Sequence, residues 1–340
     1  MQESYTSNHT FGQPPGANPS RNVEIRRRTP CFAIDATGRA LSDPPAPISA
    51  ILSKRISLPT PENDSTAPQM NVQPSEPSTP PAIAPAWHTI LLVAAILAIS
   101  IHGASRLSAS QGQIDRLATY GFTAATEVVM LAWVVLGLRL KKIPLRALLG
   151  SCPFNLRSIA MDLGFAFVFW IASLMVLGSL SVAWSGVEAA LSHRSPASQS
   201  TGQTAQNEQA SLSPDPSQLK MLREITQLAP DGGREIAAWA MLCLLIGFVE
   251  ETVFRGYLQR QFIGWARGGV VAGVLASAVI FGSAHGYQGA RNMVLLAVFG
   301  VLFSLLAFYR RSLRAGIFAH AGHDFIAGLA LALIRSSHIL

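Results

Sequence analysis

Apolar residues along this chain gather into seven long runs, and the first starts only near Ala86. The runs are Trp87–Ala104, Ala118–Leu138, Ile159–Val187, a fourth from near Glu235 to about Phe262, Val270–His285, Asn292–Tyr309 and Ala315–Ile334. Apolar stretches of about 20 residues match the thickness of a bilayer as helices. Helix is the only assignment that pairs every backbone group within one segment in lipid. The third run is long enough to tilt or to extend past the bilayer.

Two regions break this pattern. Residues 1–84 hold 14 of the 21 prolines, with many Ser, Thr, Asn and Gln and no sustained apolar period. Such a segment buries too little apolar surface to offset its ordering entropy, so a disordered arm is expected. Residues 192–234 are rich in Ser, Gln and Pro, and Ser217–Leu228 has the spacing of a short amphipathic helix. The expected fold class is therefore all-α, a polytopic membrane helix bundle of about seven transmembrane helices with a disordered N-terminal arm. Its divisions are the Pro-rich arm (1–84), helices one to three (85–191), a polar extracytoplasmic loop (192–234) and a membrane core (235–340).

Composition agrees, with 49% hydrophobic and 13% charged residues, against about 25% charged in soluble domains. The net charge of +7 raises nucleic acid as a partner. The basic residues instead form short clusters between apolar runs, which argues for a lipid bilayer and no nucleic acid. Arg139, Lys141, Lys142, Arg146 and Arg157 lie between the second and third runs. Arg260 and Arg267 lie between the fourth and fifth, and Arg310, Arg311 and Arg314 between the sixth and seventh. Alternation puts these loops on one side, so the N-terminal arm is expected in the cytoplasm and the C-terminus outside. No cleavable signal peptide is expected before the polar arm. Cys31, Cys152 and Cys243 are widely spaced and form neither a disulfide framework nor a metal-type pattern. Gly269 and Gly273, continued by Ala276, make a small-residue stripe whose expected partner is another helix of the same chain.

Polar residues inside the apolar runs carry the candidate chemistry. The fourth run contains Glu250-Glu251-Thr252-Val253-Phe254-Arg255. A charged side chain at the centre of a membrane helix costs about 2.5–3.5 kcal/mol on insertion scales and usually faces a protein interior. On an α-helix Arg255 sits over Glu251, four residues back, leaving Glu250 to face another direction. That geometry makes Glu250 the available carboxylate and Glu251–Arg255 a structural support. Phe281-Gly-Ser-Ala-His285 and His320-Ala-Gly-His323-Asp324 are the other clusters, each spanning one turn. Counting about 1.5 Å per residue puts Glu250 and His320 each roughly 9 Å above the cytoplasmic boundary. His285 reaches the same depth if the fourth and fifth helices are antiparallel. The plainer alternatives are packing hydrogen bonds and an interhelical strut. His88, His102, His193 and His338 fall at helix ends or in loops, and Glu127 is a lone acid in the second run, a weaker candidate for lining a cavity.

Three motifs in this order, Glu-Glu-x-x-x-Arg, Phe-x-x-x-His and His-x-x-x-Asp, resemble those of the CPBP family of intramembrane proteases, also called the ABI or CAAX protease family. Its eukaryotic members are the type II CAAX prenyl endopeptidases. The resemblance covers about residues 235–335, and the Phe254–Leu258 run looks like that of bacterial members, which implies an integral protein of the bacterial inner (plasma) membrane. Asp324 stands where the eukaryotic enzymes usually have Asn. The resemblance implies an intramembrane endopeptidase acting on a membrane-associated peptide or protein, in CAAX-type processing or in bacteriocin or peptide maturation. It implies Glu250 and His285 as activators of water, with His320 and Asp324 stabilising the tetrahedral intermediate. Zinc held by Glu250, His285 and His320, with Asp324 as a further ligand, is the metal-dependent version. Outside the hydrolase class, the same polar cavity suits a non-catalytic immunity or scaffold protein, or a proton-coupled carrier, although no inverted repeat supports the carrier. A serine mechanism has little support, since no Gly-x-Ser-x-Gly elbow occurs.

Overall fold

A computed structural model describes residues 80–109, 114–150, 154–192 and 216–337. Among the described residues the chain is a helical bundle without strands; its only bridge-type pairing there joins Gly150 to Ser312. The elements in order are α1 (Ala86–Ala109), α2 (Arg116–Leu140), the short α3 (Arg146–Leu149), α4 (Leu156–Ser192) and α5 (Pro216–Thr226). Next come α6 (Gly232–Glu250), a π-helical segment (Glu251–Leu258) and α7 (Gln259–Trp265), which run on as one continuous helix. α8 (Val270–Ala284), a 3-10 turn (Gly286–Gln288), α9 (Gly289–Arg310) and α10 (Arg314–Ser336) complete the bundle.

Among the described residues, six helices are long and apolar enough to cross a membrane. The fifth apolar run is shorter than that: α8 has 15 residues, about 22 Å at 1.5 Å per residue. The outward faces are apolar, as lipid contact requires; Phe167, Val168 and Val182 on α4 and Val271 and Val279 on α8 are all exposed. The expected amphipathic helix is α5. Most of the expected disordered arm lies outside the described residues. Its last residues do not: Gln261 of α7 accepts hydrogen bonds from the backbone of Ile83 (2.8 Å) and Ala84 (3.0 Å) and donates to Ala84 O (2.8 Å). The ordered region thus begins before residue 85.

The core is centred on α6 and the π segment. α2 and α10 both pack on α6, α8 packs on α7 and α9, and α4 packs on α9 and α10. Close approach at the α6–α10 crossing depends on Gly247, where an added Cβ would lie 2.9 Å from Ala321 N and from Ile317 O. Gly273 on α8 plays the same part against α7, with Gln259 O and Ile263 N 2.9 Å from such a Cβ. The Gly269–Gly273 stripe is therefore corrected to one helix-contact glycine, because Gly269 precedes α8 as its N-cap. Several residues of the basic clusters are built into the fold. Arg260 lies within α7, not in a loop, and donates to the carbonyls of Ala147 (2.8 Å) and Leu148 (3.0 Å). Arg310 pairs with the buried Asp162 of α4 at 2.6 Å, and Arg314 pairs with the other oxygen of that carboxylate.

Candidate active site

The Glu-Glu-x-x-x-Arg motif straddles a change of helical register. Glu250 is the last residue of α6, and the next eight residues form the π segment, in which Gln259 N–H bonds Phe254 O. A wider π turn leaves backbone groups to be satisfied by side chains and is often found at functional sites. Here Ser277 Oγ of α8 donates to Phe254 O at 2.8 Å, and Thr252 Oγ1 donates to Phe248 O at 2.7 Å. All eight residues of the segment are buried, Glu251 and Arg255 included.

Burying a guanidinium requires both charge and packing partners. Arg255 Nη1 donates to Glu251 Oε1 at 2.9 Å, the pairing that the i,i+4 spacing predicts. Its planar head lies over two aromatic rings, 4.2 Å from the Phe281 centroid and 4.8 Å from that of Phe303. Guanidinium–aromatic contacts of this kind are strongest where water is excluded. Phe281 of the second motif therefore covers Arg255 as well as contacting His285.

His320 joins the motifs. Its Nδ1–H donates to Glu251 Oε1 at 3.1 Å, across 69 residues of sequence. Its Nε2 lies 3.6 Å from Glu250 Oε2 and 3.6 Å from Asp324 Oδ2. The ring is stacked on Phe303 at 5.2 Å between centroids. Glu251 is thus bound to two groups, Arg255 and His320, and orients the imidazole as well as neutralising the guanidinium. The structure brings Glu250, Glu251, His320 and Asp324 together, and two buried carboxylate oxygens there, Glu250 Oε2 and Glu251 Oε2, have no hydrogen-bond partner.

His285 stands apart from that cluster. It caps the C-terminus of α8, where the backbone has left the helix, and its Nδ1–H donates to Phe281 O at 2.9 Å. That bond commits Nδ1 and leaves Nε2 without a hydrogen bond among the described residues. The ring contacts Phe281 and Tyr287 at centroid distances of 5.0 and 6.0 Å, and among the described residues it forms no hydrogen bond or ion pair with Glu250. It remains within electrostatic reach of Asp324. His323 packs on Phe299 instead of joining His320. His88 is a satisfied core residue, with Nδ1 bonded to Tyr257 Oη (2.8 Å) and Nε2 to Trp133 O (2.9 Å). His193 and His338 lie outside the described residues. Of the residues that the zinc reading names, Glu250 and His320 lie together and His285 stands apart; among the described residues, no three His, Cys, Asp or Glu side chains are grouped to hold a metal ion.

Three parts of the site escape sequence reasoning: Phe303, Ser277 and the second partner of Glu251. Phe303 and Ser277 lie in no motif, and His320, the second partner of Glu251, lies in one whose spacing does not reveal the contact; each acts from another helix. Residues 232–326, which contain every motif residue, match the family described as type II CAAX prenyl endopeptidase Rce1-like. Searches of curated proteins and of solved structures found no match. All three motifs lie inside the matched segment, so this part of the membrane helix bundle is similar to that endopeptidase family.

Proposed function

We propose that this integral membrane protein is an endopeptidase that hydrolyses a peptide bond of a membrane-associated peptide or protein, with water activated by a carboxylate and histidine. The observation that carries this reading is the buried, uncommitted Glu250 Oε2 beside the His320 Nε2 edge. A carboxylate so placed accepts a proton from water as the water oxygen adds to the scissile carbonyl. The His320 ring, fixed through Nδ1 by Glu251, presents Nε2 toward the same space; carrying a proton there, it donates to the developing oxyanion, with Asp324 alongside. With Nε2 unbonded among the described residues, a neutral His285 is a second acceptor at the edge of the site. Glu251 and Arg255 position the cluster. No step is routed through a metal.

The substrate class follows from location: a carboxylate site buried among membrane helices meets peptides that enter from the bilayer or its surface. CAAX-type tails and maturing peptides both fit that description. In this reading the basic clusters face the cytoplasm and the N-terminus lies on that side. The test is cleavage of a panel of membrane-anchored peptides by purified wild type, Glu250→Ala and His285→Ala. Loss of cleavage in both variants, with folding intact, is expected. Equal cleavage by all three would refute the chemistry, and no cleavage by wild type would favour a binding or scaffold role.

A further inference from the structure

Glu127 is a buried acid that the mechanism above does not use. It lies in the middle of α2, is 6% exposed, and its Oε2 has no hydrogen-bond partner. α2 packs along α6 and the π segment. The Glu127 carboxyl lies within electrostatic reach of Glu250, His320 and Asp324, on two other helices. Among the described residues no Lys or Arg pairs with it.

Charge balance gives this position a role. Glu127, Glu250, Glu251 and Asp324 share the pocket with one permanent cation, Arg255, and with the His320 imidazole. Four ionised carboxylates would leave net negative charge in a pocket with little water, and like charges oppose ionisation. Glu251 is committed to Arg255 and His320, while Glu250 and Asp324 both face His320 Nε2. Glu127 has no cation of its own, so of the four carboxyl groups it is the one placed to hold a proton. Peptide hydrolysis needs such a proton, because an amine leaves poorly unless it is protonated as the C–N bond breaks.

We propose that Glu127 is the general acid of this site, an inference that rests on the hydrolase reading. Glu250 takes one proton from water as the C–O bond forms. The C–N bond then breaks with its electron pair on nitrogen, and the Glu127 carboxyl gives its proton to that nitrogen. The proton held by Glu250 passes to Glu127, and the carboxylic acid and amine products depart with no net change in the enzyme.

Substrate chemistry supplies the test. Glu127→Gln keeps the size and polarity of the side chain but has no proton to give. A peptide amide and the matching peptide ester with a phenolate-type leaving group are compared. We expect amide kcat to fall about 100-fold, the scale of one general acid, with KM little changed, while ester cleavage falls far less, since phenolate leaves without a proton. A merely structural role would lower both alike, and that result, or no loss on either, would overturn the proposal. Infrared spectroscopy gives a second readout independent of turnover. The wild type should show a protonated-carboxyl stretch that Glu127→Gln removes; a band that is missing in the wild type or unaltered in the variant would also overturn it. If the wild type cleaves neither substrate, the hydrolase reading fails and the acid role with it. Failure of Glu127 alone leaves wild-type cleavage intact.

Discussion

Arg255 offers the sharpest test of how the site is held together. It is 1% exposed, bonded to Glu251 at 2.9 Å, and lies over the rings of Phe281 and Phe303. Arg255→Met keeps most of the volume and removes the charge, so the loss is electrostatic and not a cavity. Removing one partner of a buried ion pair costs about 3–5 kcal/mol, because the other charge is left buried alone. The desolvated cation–aromatic contacts add to this, and we expect a total of about 4–6 kcal/mol. That is a large part of a typical stability of about 5–15 kcal/mol. The decisive comparison adds Glu251→Gln to Arg255→Met. With both members of the pair gone neither is left without the other, and neutral replacement of a buried pair is often close to neutral. The double variant should recover at least about 2 kcal/mol over Arg255→Met alone, as expected when the penalty is the orphaned charge. Unfolding by denaturant in detergent micelles, followed by near-ultraviolet circular dichroism, measures this. Cleavage should not recover with stability, because Glu251 also orients His320 at 3.1 Å. A double variant no more stable than Arg255→Met would refute the argument that Glu251 and Arg255 neutralise one another.

Gly247→Ala should destabilise the protein by about 1–3 kcal/mol, the usual cost of overpacking, because its Cβ would lie 2.9 Å from two backbone atoms of α10. The matched control is Gly322→Ala on α10, where an added Cβ meets nothing within 4 Å and stability should not fall. Thermal unfolding of both in one detergent distinguishes helix contact from glycine loss as such. Prolonged chelation and dialysis should leave peptide cleavage unchanged, in keeping with the absence of a three-ligand group among the described residues. Loss of cleavage that zinc restores would overturn the residue-only mechanism.

The membrane helices were legible because apolar length alone encodes them. Trp87–Ala104 predicts α1 and Ala315–Ile334 predicts α10 to within a few residues at each end, since lipid faces leave little room for polar positions inside a span. Contacts along a single helix were legible too: Glu251 and Arg255 meet because four residues make about one turn. Contacts between helices were not. Nothing near Glu251 in sequence names His320, and nothing near Arg255 names Phe303. The short α3 stayed hidden inside a basic loop, because its one fully buried side chain, Leu148, gives no periodic signal.

The depth count shows where sequence geometry stops working. Equal depth for Glu250 and His320 is matched by a contact, with 3.6 Å between Oε2 and Nε2. The same count gives His285 no partner in Glu250, because it treats the fifth run as helix through His285. α8 ends at Ala284, and His285 has left the helical backbone at φ −102°, ψ 26°. Its imidazole turns back to Phe281 O, and Phe281 is the residue of this motif that reaches the cluster, through Arg255. A register change has a similar effect in the first motif. Hydropathy cannot distinguish i→i+4 from i→i+5 bonding, so Glu250-Glu251 reads as two neighbours on one α-helix. The structure sets them on either side of the α-to-π junction, where both carboxylates meet one imidazole, Glu251 at Nδ1 and Glu250 near Nε2. A division into a base and a strut therefore understates Glu251. Its carboxylate fixes the ring that Glu250 faces, so neutralising Glu251 alone should disturb the chemistry even where Arg255 is retained.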